Sequence, residues 1–269
     1  MVKSEKILSE IEQSYIEKLV NNGTRIDERS LGSFRDVSIK TNIIEKANGS
    51  ADVTLGNTRV VVGVKLELGT PFPDTPHQGV VTVNAELAPI ASPFFESGPP
   101  TEEGIELARV VDRGIRQSNA VDTEKLCILD GEKVWIVFVD IYALDHDGNL
   151  IDASALAAIS ALLTAKIPKV EVTEEKEIRL LEETIPLPVV DRPVAVTLAK
   201  LNGTMIVDPC LKEEFAMNGR ITFTFTADGN LCALQKGGIG TFEPSEILNA
   251  FETARNIASQ LRQSLPEQP

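Results

Sequence analysis

The sequence predicts an α+β fold of two related βα halves, with mixed sheets and packed helices. The chain has 269 residues, of which 42% are hydrophobic, and this suffices for one large domain or two small ones with real cores. Strand-like alternation occurs in both halves, and helix-like stretches follow it in each. The stretch "VTLGNTRVVVGV" near residue 53 also matches "VTLAKLNGTMIVDP" near residue 196 in pattern. These observations favour two similar halves without establishing a duplication.

An N-terminal helix is predicted over residues 4–20, within a first segment of residues 1–23. Ser4 can cap it and Asn22-Gly23 can end it. The face expected to pack against the rest of the protein consists of Ile7, Ile11, Tyr15 and Leu19. This polar, periodic stretch is typical of neither a signal peptide nor a membrane span, and no membrane association is expected.

The first half is predicted over residues 24–168. Its strands are "SFRDVSIK", "GSADVTL", "TRVVVGVKL" and "GVVTVNAELAPI", with a hairpin turn at Gly56-Asn57. A helix is expected from Thr101 to about Ser118, after the loop "SPFFESGPP". The stretch "KVWIVFVDIYAL" is apolar on both faces and predicts a central buried strand. A second helix follows from Asp152.

A charged stretch, residues 169–188, has no strong apolar period and is interpreted as an exposed connection. The second half, residues 189–269, contains the strand regions "VAVTLAKLNGTMIVDP" and "RITFTFTADGNLCALQKGG". A final helix is predicted over about 244–264. The face that it should bury consists of Ile247, Phe251, Ala254, Ile257 and Leu261.

Composition excludes several classes of function. The net charge of −14 argues against nucleic-acid binding over the whole surface, so that an RNA or DNA role would need a local basic patch or a basic partner. The cysteines Cys127, Cys210 and Cys232 are far apart and form no CxxC pair. No structural zinc is therefore expected, and a reducing, cytoplasmic location is the default.

Motifs for common cofactors and nucleophiles are also missing. No GxxxxGK[ST] or GxSxG pattern occurs, and "GGIGTFEP" at 237–244 is interpreted as a flexible turn rather than a dinucleotide loop. The two histidines, His77 and His146, lie in polar, turn-like contexts. We therefore predict no cofactor, no metal and no catalytic residue of these kinds.

The stretch "DHDGNLIDASALAAISALL", residues 145–163, joins a glycine loop to a helix. Free N–H groups and the helix dipole make such a start suitable for an anion such as phosphate. Yet Asn149, Leu150 and Asp152 stand where the anion would bind, and none is basic. From these residues alone the loop is a phosphate site, a former one or only a turn, with Asp152 most simply the N-cap.

A second acidic group, Asp208, Glu213 and Glu214, lies between two predicted strands. Carboxylates there could hold Mg²⁺ or move a proton. A solvated turn explains the same residues, and the local sequence favours it.

The feature of the chain that most suggests a binding site is the helix "TEEGIELARVVDRGIRQS", which carries three arginines. Arg109, Arg113 and Arg116 follow one stripe of it, and they could bind phosphates. The alternative is a solvated face with local pairs, Glu106 with Arg109 and Asp112 with Arg116, and the stretch alone favours this alternative. The residues expected to face the core are Ile105, Ala108, Val111 and Ile115.

The ordered set of motifs resembles the RNase PH family over nearly the whole chain from about Arg25. The motifs are "RIDERSLGSFRDVSIK", "GSADVTLGNTRVVVGVK", "ELARVVDRGIR", "KVWIVFVDIYALDHDGNLIDASALAAISALL" and "MIVDP". The resemblance is greatest to the noncatalytic RNase PH-like ring subunit of the archaeal exosome, and it implies an RNase PH-like fold.

The resemblance also implies that the loop at 148–150 is a former phosphate site. Active members carry Gly-Ser-Arg where this chain has Gly148, Asn149 and Leu150. They place a further acid where Ala216, Met217 and Asn218 stand, and a basic loop where this chain has "ELGTPFPDTPHQG". An inactive member of a phosphate-dependent 3′-5′ exoribonuclease family is therefore expected.

The partners implied by the resemblance are an active RNase PH-like subunit, in an alternating ring of three heterodimers, and RNA-binding cap subunits. Arg109, Arg113 and Arg116 would then hold single-stranded RNA near its 3′ end. Two rival interpretations stay open: an active exoribonuclease using Asp208 or Glu214, and a structural ring component whose arginines pair with partner acids.

Overall fold

The computed structural model of the protein describes residues 9–173 and 176–268. Its strands are β1 (Val37–Thr41), β2 (Gly49–Leu55), β3 (Thr58–Gly69), β4 (Val80–Leu87), β5 (Cys127–Leu129), β6 (Lys133–Asp145), β7 (Lys166–Val172), β8 (Ile178–Pro186), β9 (Val194–Leu201), β10 (Thr204–Val207), β11 (Gly219–Phe225) and β12 (Leu231–Gly238). Its helices are α1 (Glu10–Asn21), α2 (Glu102–Gln117), α3 (Leu150–Thr164), α4 (Leu211–Ala216) and α5 (Pro244–Arg262), with a 3₁₀ turn at Glu124–Leu126. The predicted α+β class is confirmed.

The first sheet has the order β1-β2-β3-β6-β4, and β5 pairs with β6. Its pairs are antiparallel except that β4 runs parallel to β6, so the sheet is mixed. The central position predicted for β6 is confirmed, but its burial on both faces is not. Val137, Val139 and Ile141 are buried on one face, whereas Phe138 on the other is half-buried and Tyr142 is exposed. This second face of β6 is therefore open in the single chain.

The two stretches that match in pattern both form antiparallel hairpins. The turn predicted at Gly56-Asn57 joins β2 to β3, and Gly56 has a φ of 56°, a left-handed conformation that favours glycine. In the second half, β9 pairs with β10 through a turn at residues 202–203. The second sheet has the order β10-β9-β11-β12, with antiparallel pairs.

Helix α5 covers the second sheet with the face predicted for it. Ala254 and Ile257 are buried, and Ile247, Phe251 and Leu261 pack against the core. Phe251 contacts two aromatic rings of β11, Phe223 and Phe225, at centroid distances of 6.0 and 5.3 Å.

Helix α3 joins the two halves, because it packs against β2 and β3 of the first sheet and β9 of the second. Its side chains are small or apolar, and they are buried almost all round the helix. A Cβ added at Gly49 would lie 2.4 Å from the carbonyl oxygen of Ala161, so this glycine allows the close approach of β2. The start of α3 consequently lies where the halves meet.

The face predicted for α1 is wrong. Ile16 and Val20 are the buried residues of this helix, and they pack with Leu201 and Ile206 of the second half. Ile11 is 82% exposed, and Tyr15 is also exposed. The described helix begins after Ser9, which forms a capping box with Glu12; the predicted cap Ser4 and Ile7 lie outside the described residues.

Residues 169–188, interpreted from the sequence as an exposed connection, are largely exposed where described, but they contain regular strands. Most of this segment belongs to the antiparallel hairpin of β7 and β8, which pairs apart from the other sheets. Its charged side chains point to solvent, and Lys169 pairs with Glu183 at 2.6 Å. Pairing between the two strands satisfies the backbone hydrogen bonds here, although the side chains do not alternate between apolar and polar on both strands. The sequence pattern therefore did not indicate the hairpin.

Within residues 9–173 and 176–268, no helix is long and apolar enough to cross a membrane. The cysteines Cys127, Cys210 and Cys232 are free. No cluster of His, Cys, Asp or Glu in the described part of the chain could hold a metal ion.

Candidate functional site

The loop before α3 is fixed by close backbone contacts. Gly148 has a φ of 87°, and an added Cβ would lie 2.5 Å from the carbonyl carbon of Cys210 and the nitrogen of Leu211. Asn149, with a φ of 54°, is the N-cap, and its side-chain oxygen accepts from the N–H of Asp152 at 3.4 Å. The prediction that Asp152 caps this helix is therefore wrong. Asp152 lies one turn further on and is fully buried.

The Asp152 carboxyl links the two halves. Its oxygens accept from Asn149 Nδ2, Thr197 N and Thr197 Oγ1, each at 2.8 Å. Burial raises the pKa of Asp152 to about 7, although the hydrogen bonds from Asn149 and Thr197 lower it. The acid thus binds its proton more tightly in the folded chain than in the unfolded one, and stability is lost as the pH rises from about 4 through about 7.

We expect Asp152→Asn to remove this loss, because the amide mimics the protonated acid. Its oxygen can accept from Thr197 N while its NH₂ donates to Thr197 Oγ1, which in turn donates to Thr222 Oγ1 at 2.8 Å. Between pH 5 and 7.5 the variant should gain about 1–3 kcal/mol of unfolding free energy relative to the parent, at 1.36 kcal/mol per pKa unit. Urea denaturation at both pH values measures this gain. Asp228→Asn, on an exposed turn, is the control, and an equal pH response of parent and Asp152→Asn would contradict the raised pKa.

The acidic group around Asp208 is not a solvated turn. Asp208 is fully buried and accepts from Arg29 Nη1 at 2.9 Å and from Arg35 Nε at 2.9 Å and Nη2 at 2.8 Å. Asn149 Nδ2 donates to the same carboxylate at 2.7 Å. Arg35 also donates to the carbonyls of Asp147 and Gly148, at 2.8 and 3.2 Å, so it holds the loop before α3 as well.

A second buried ion pair lies beside the first. Arg25 donates to Glu213 through Nε at 2.9 Å and through Nη2. Burial lowers the pKa of Arg25 and of Arg35, but the hydrogen bonds to Glu213 and Asp208 and the charges of nearby acids together outweigh it, and both pKa values are raised. The carboxylates of Asp208 and Glu213 are therefore engaged by buried arginines rather than exposed to solvent.

Sequence reasoning missed the arginines of this cluster. Arg25 and Glu213 are 188 positions apart, and Arg35 and Asp208 are 173 apart, so no local pattern connects them. The available signal was the density of arginines in "RIDERSLGSFR".

The N-terminus of α3 receives a carboxylate from this same chain. The backbone N–H of Asn149 donates to Glu214 Oε1 at 2.9 Å. A cleft of about 170 Å³ adjoins it, lined by Leu150 and by three carboxylates, those of Glu103, Glu106 and Glu214. Arg220 also lines the cleft, and it pairs with Glu106 at 2.7 Å. The excess of negative charge opposes the entry of an anion.

Helix α2 has the predicted ends, with Thr101 as N-cap and Ser118 as C-cap. Its buried residues are Gly104, Leu107, Val110, Val111, Gly114 and Ile115. The predicted inward face was partly wrong, because Ile105 is 48% exposed and Ala108 is only half-buried. The helix packs on β4 and meets β12, and these contacts turn the 107–110–114 side inward.

Of the three predicted arginines, Arg109 and Arg116 are exposed on the side of α2 opposite its buried residues, whereas Arg113 is half-buried. Arg109 makes no hydrogen bond or ion pair with any described residue, and Arg113 Nη1 donates to Gln235 Oε1 at 3.1 Å. Arg116 Nε donates to Asp112 Oδ2 at 2.9 Å, as the local-pair alternative predicted. Glu106 pairs with Arg220 and not with Arg109. The stripe extends about 10 Å along the helix, at 1.5 Å per residue.

Two family models match the chain. The 3′ exoribonuclease family, domain 1, matches residues 33–168, and domain 2 of the same family matches residues 191–257. Among curated proteins, the exosome complex component Rrp42 of Thermococcus onnurineus is 51% identical over 97% of this chain and 97% of its own length. That of Methanopyrus kandleri is 47% identical over 97% and 98%.

Solved structures show the same fold. A chain of the Archaeoglobus fulgidus exosome with RNA bound to the active site matches with a TM-score of 0.89 and 50% identity, covering 95% of this chain and 98% of that one. A chain of an archaeal exosome core matches with a TM-score of 0.85 and 47% identity, over 97% and 98% of the chains. Rice Rrp46, at 18% identity and a TM-score of 0.66, shares the fold alone.

Proposed function

Because this chain belongs to the 3′ exoribonuclease (RNase PH) family, we propose that it is a noncatalytic subunit of an exosome, the assembly for which its relatives are named. It would pair with an active RNase PH-like subunit in an alternating ring of three heterodimers, to which RNA-binding cap subunits attach. In this assembly it would help to shape the active site of the partner. The proposed place of action is the cytoplasm.

The observation that carries the noncatalytic role is the carboxylate at the start of α3. A phosphate would need the N–H groups there, and Glu214 already accepts from Asn149. Leu150 offers no hydrogen bond, and an arginine in its place would supply charge-assisted bonds of about 1.5–3 kcal/mol each. Asp208 and Glu213 are held by buried arginines. Neither phosphate binding nor acid–base work is therefore supported at this site.

The support for RNA binding is the arginine stripe of α2, in which Arg109 and Arg116 are exposed and Arg113 is half-buried. Arg109 is unpaired among the described residues, and the bonds that Arg113 and Arg116 make are to surface groups that phosphate oxygens can replace. A local cationic stripe is also what a chain of net charge −14 needs in order to bind RNA. Single-stranded RNA near its 3′ end is the proposed ligand.

The support for a partner subunit is the open face of β6. On this long central strand, Phe138 is half-buried and Tyr142 is exposed. Ile44, in the loop between β1 and β2, is exposed as well. This face mixes aromatic side chains with charged ones such as Asp140, and exposed aromatic side chains are enriched at protein–protein interfaces.

The purified chain is expected to release no nucleoside diphosphates from RNA in inorganic phosphate. Leu150→Arg should not restore activity, because Glu214 stays on the helix terminus and no acid replaces Met217. Thin-layer chromatography of labelled RNA measures the release, with an active RNase PH-like relative as positive control. Release of nucleoside diphosphates by the parent chain, free of contaminants, would favour the alternative that this chain is an active exoribonuclease.

A further inference from the structure

The loop between β3 and β4, residues 70–79, presents an aromatic ring to solvent. The ring belongs to Phe72, which is 58% exposed. Prolines at 71, 73 and 76 restrict the backbone around it. The loop is tied down at two points, since Gly79 N donates to Thr123 O at 2.8 Å and Pro76 O accepts from Gly131 N at 3.0 Å. The exposure of Phe72 thus comes from a well-anchored loop.

Phe72 forms one wall of a cavity of about 260 Å³. Gln78 of the same loop also lines the cavity, together with Arg116 from the end of α2 and Asn119 just after that helix. The lining also contains apolar side chains, among them Val81, Ile115 and Val121. The amide groups of Gln78 and Asn119 make no side-chain hydrogen bond with a described residue, and they are therefore available to a ligand.

We propose that this cavity binds one base of a single-stranded RNA. The ring of Phe72 would stack on the base, and the amides of Gln78 and Asn119 would hydrogen-bond to its edge. Arg116, which belongs to both the cavity and the arginine stripe, would contact the adjoining phosphate. The inference rests on the proposed RNA-binding role and extends it from the phosphates to a base.

An exposed phenylalanine can also contact a partner protein instead of a base. The lining favours a base, because it combines an aromatic face, two uncommitted amides and a guanidinium around an opening on the arginine-bearing helix. Arg116 is the charged residue among those that line the cavity, and it pairs with Asp112. Asp122, which pairs with Lys125, lies between the lining residues Val121 and Thr123. A leucine in place of Phe72 would keep apolar contact with a protein but lose the face on which a base stacks.

The test uses the full chain assembled with an active RNase PH-like subunit, in phosphate-free buffer so that RNA is not consumed. Affinity is measured for an oligonucleotide and for copies that carry one abasic site at successive positions. Phe72→Leu should weaken binding of the intact RNA about fivefold or more, the lower end expected for loss of a stacked base. At one abasic position the same substitution should have almost no effect. Ile239→Ala, which changes another exposed apolar residue, is the control.

Phe72→Trp should retain affinity, and its fluorescence should be quenched by RNA, while the buried Trp135 supplies an unchanging background. If Arg113→Ala with Arg116→Ala weakens binding but Phe72→Leu does not, the base site is wrong and the RNA role stands. If neither variant weakens binding, the RNA role is wrong as well. If Phe72→Leu prevents assembly, or weakens binding equally at every abasic position, Phe72 does not stack on a base.

Discussion

Replacing Asp208 with alanine is expected to lower the free energy of unfolding by about 3–5 kcal/mol, as when one partner of a buried ion pair is removed. Arg29 and Arg35 both donate to this carboxylate, and their side chains are only 15% and 8% exposed. Asn149 Nδ2 would also lose an acceptor, and the start of α3 would lose a fixed point. Urea denaturation of the purified chain measures the loss.

The matched control is Asp228→Ala, which removes a carboxylate from an exposed turn and should change stability by no more than about 0.5 kcal/mol. A comparably small change for Asp208→Ala would mean that its carboxylate is solvated, as the local sequence alone suggested. Glu213→Ala should behave like Asp208→Ala, because it leaves the guanidinium of Arg25 buried without its carboxylate.

Removing the arginine stripe is expected to have the largest effect on RNA binding. In the assembled ring, Arg113→Ala with Arg116→Ala should lower the slope of log affinity against log salt by about 0.7 for each RNA phosphate that is no longer neutralised, and affinity should fall with it. Adding Arg109→Ala should lower the slope by about 0.7 more. Stability should change by no more than about 0.5 kcal/mol at the exposed Arg109 and Arg116. At the half-buried Arg113, which loses its bond to Gln235, the change should be about 0.5–1.5 kcal/mol.

Arg179→Ala is the control for charge alone, since Arg179 is exposed on β8, away from the stripe. An unchanged affinity and salt slope in the stripe variants would mean that the arginines are solvated or paired. If these variants do not form the ring, the arginines lie in the subunit interface. The alternative of a structural ring component, whose arginines pair with acids of the partner, would then be favoured.

Local signals predicted the elements of the fold well. Thr101 and Ser118 bound α2, the turn at Gly56-Asn57 joins β2 to β3, and α5 buries the expected face. Each of these depends on residues within a few positions of one another. The buried face of α1 could not be predicted in the same way. Ile16 and Val20 are buried because they pack against Leu201 and Ile206, which are far away in the sequence.

The candidate site was predicted in part for the same reason. The arginine stripe follows from helical spacing alone, and the structure exposes Arg109 and Arg116 while Arg113 is half-buried. The burial of Asp208 and Glu213 depends on arginines more than 170 positions away, which no local pattern shows. Asp152 was assigned the cap that Asn149 forms, because both residue types suit an N-cap and a left-handed asparagine is not evident from sequence.

Release of nucleoside diphosphates from single-stranded RNA is the measurement that bears most directly on the noncatalytic role. It is made in inorganic phosphate for this chain, for an active RNase PH-like subunit, and for their mixture, with assembly followed by size-exclusion chromatography. We expect no release by this chain alone, a ring-sized species in the mixture, and faster degradation of long RNA by the mixture than by the active subunit. Release by this chain alone, or a stable monomer that leaves the activity of the other subunit unchanged, would contradict the proposed function.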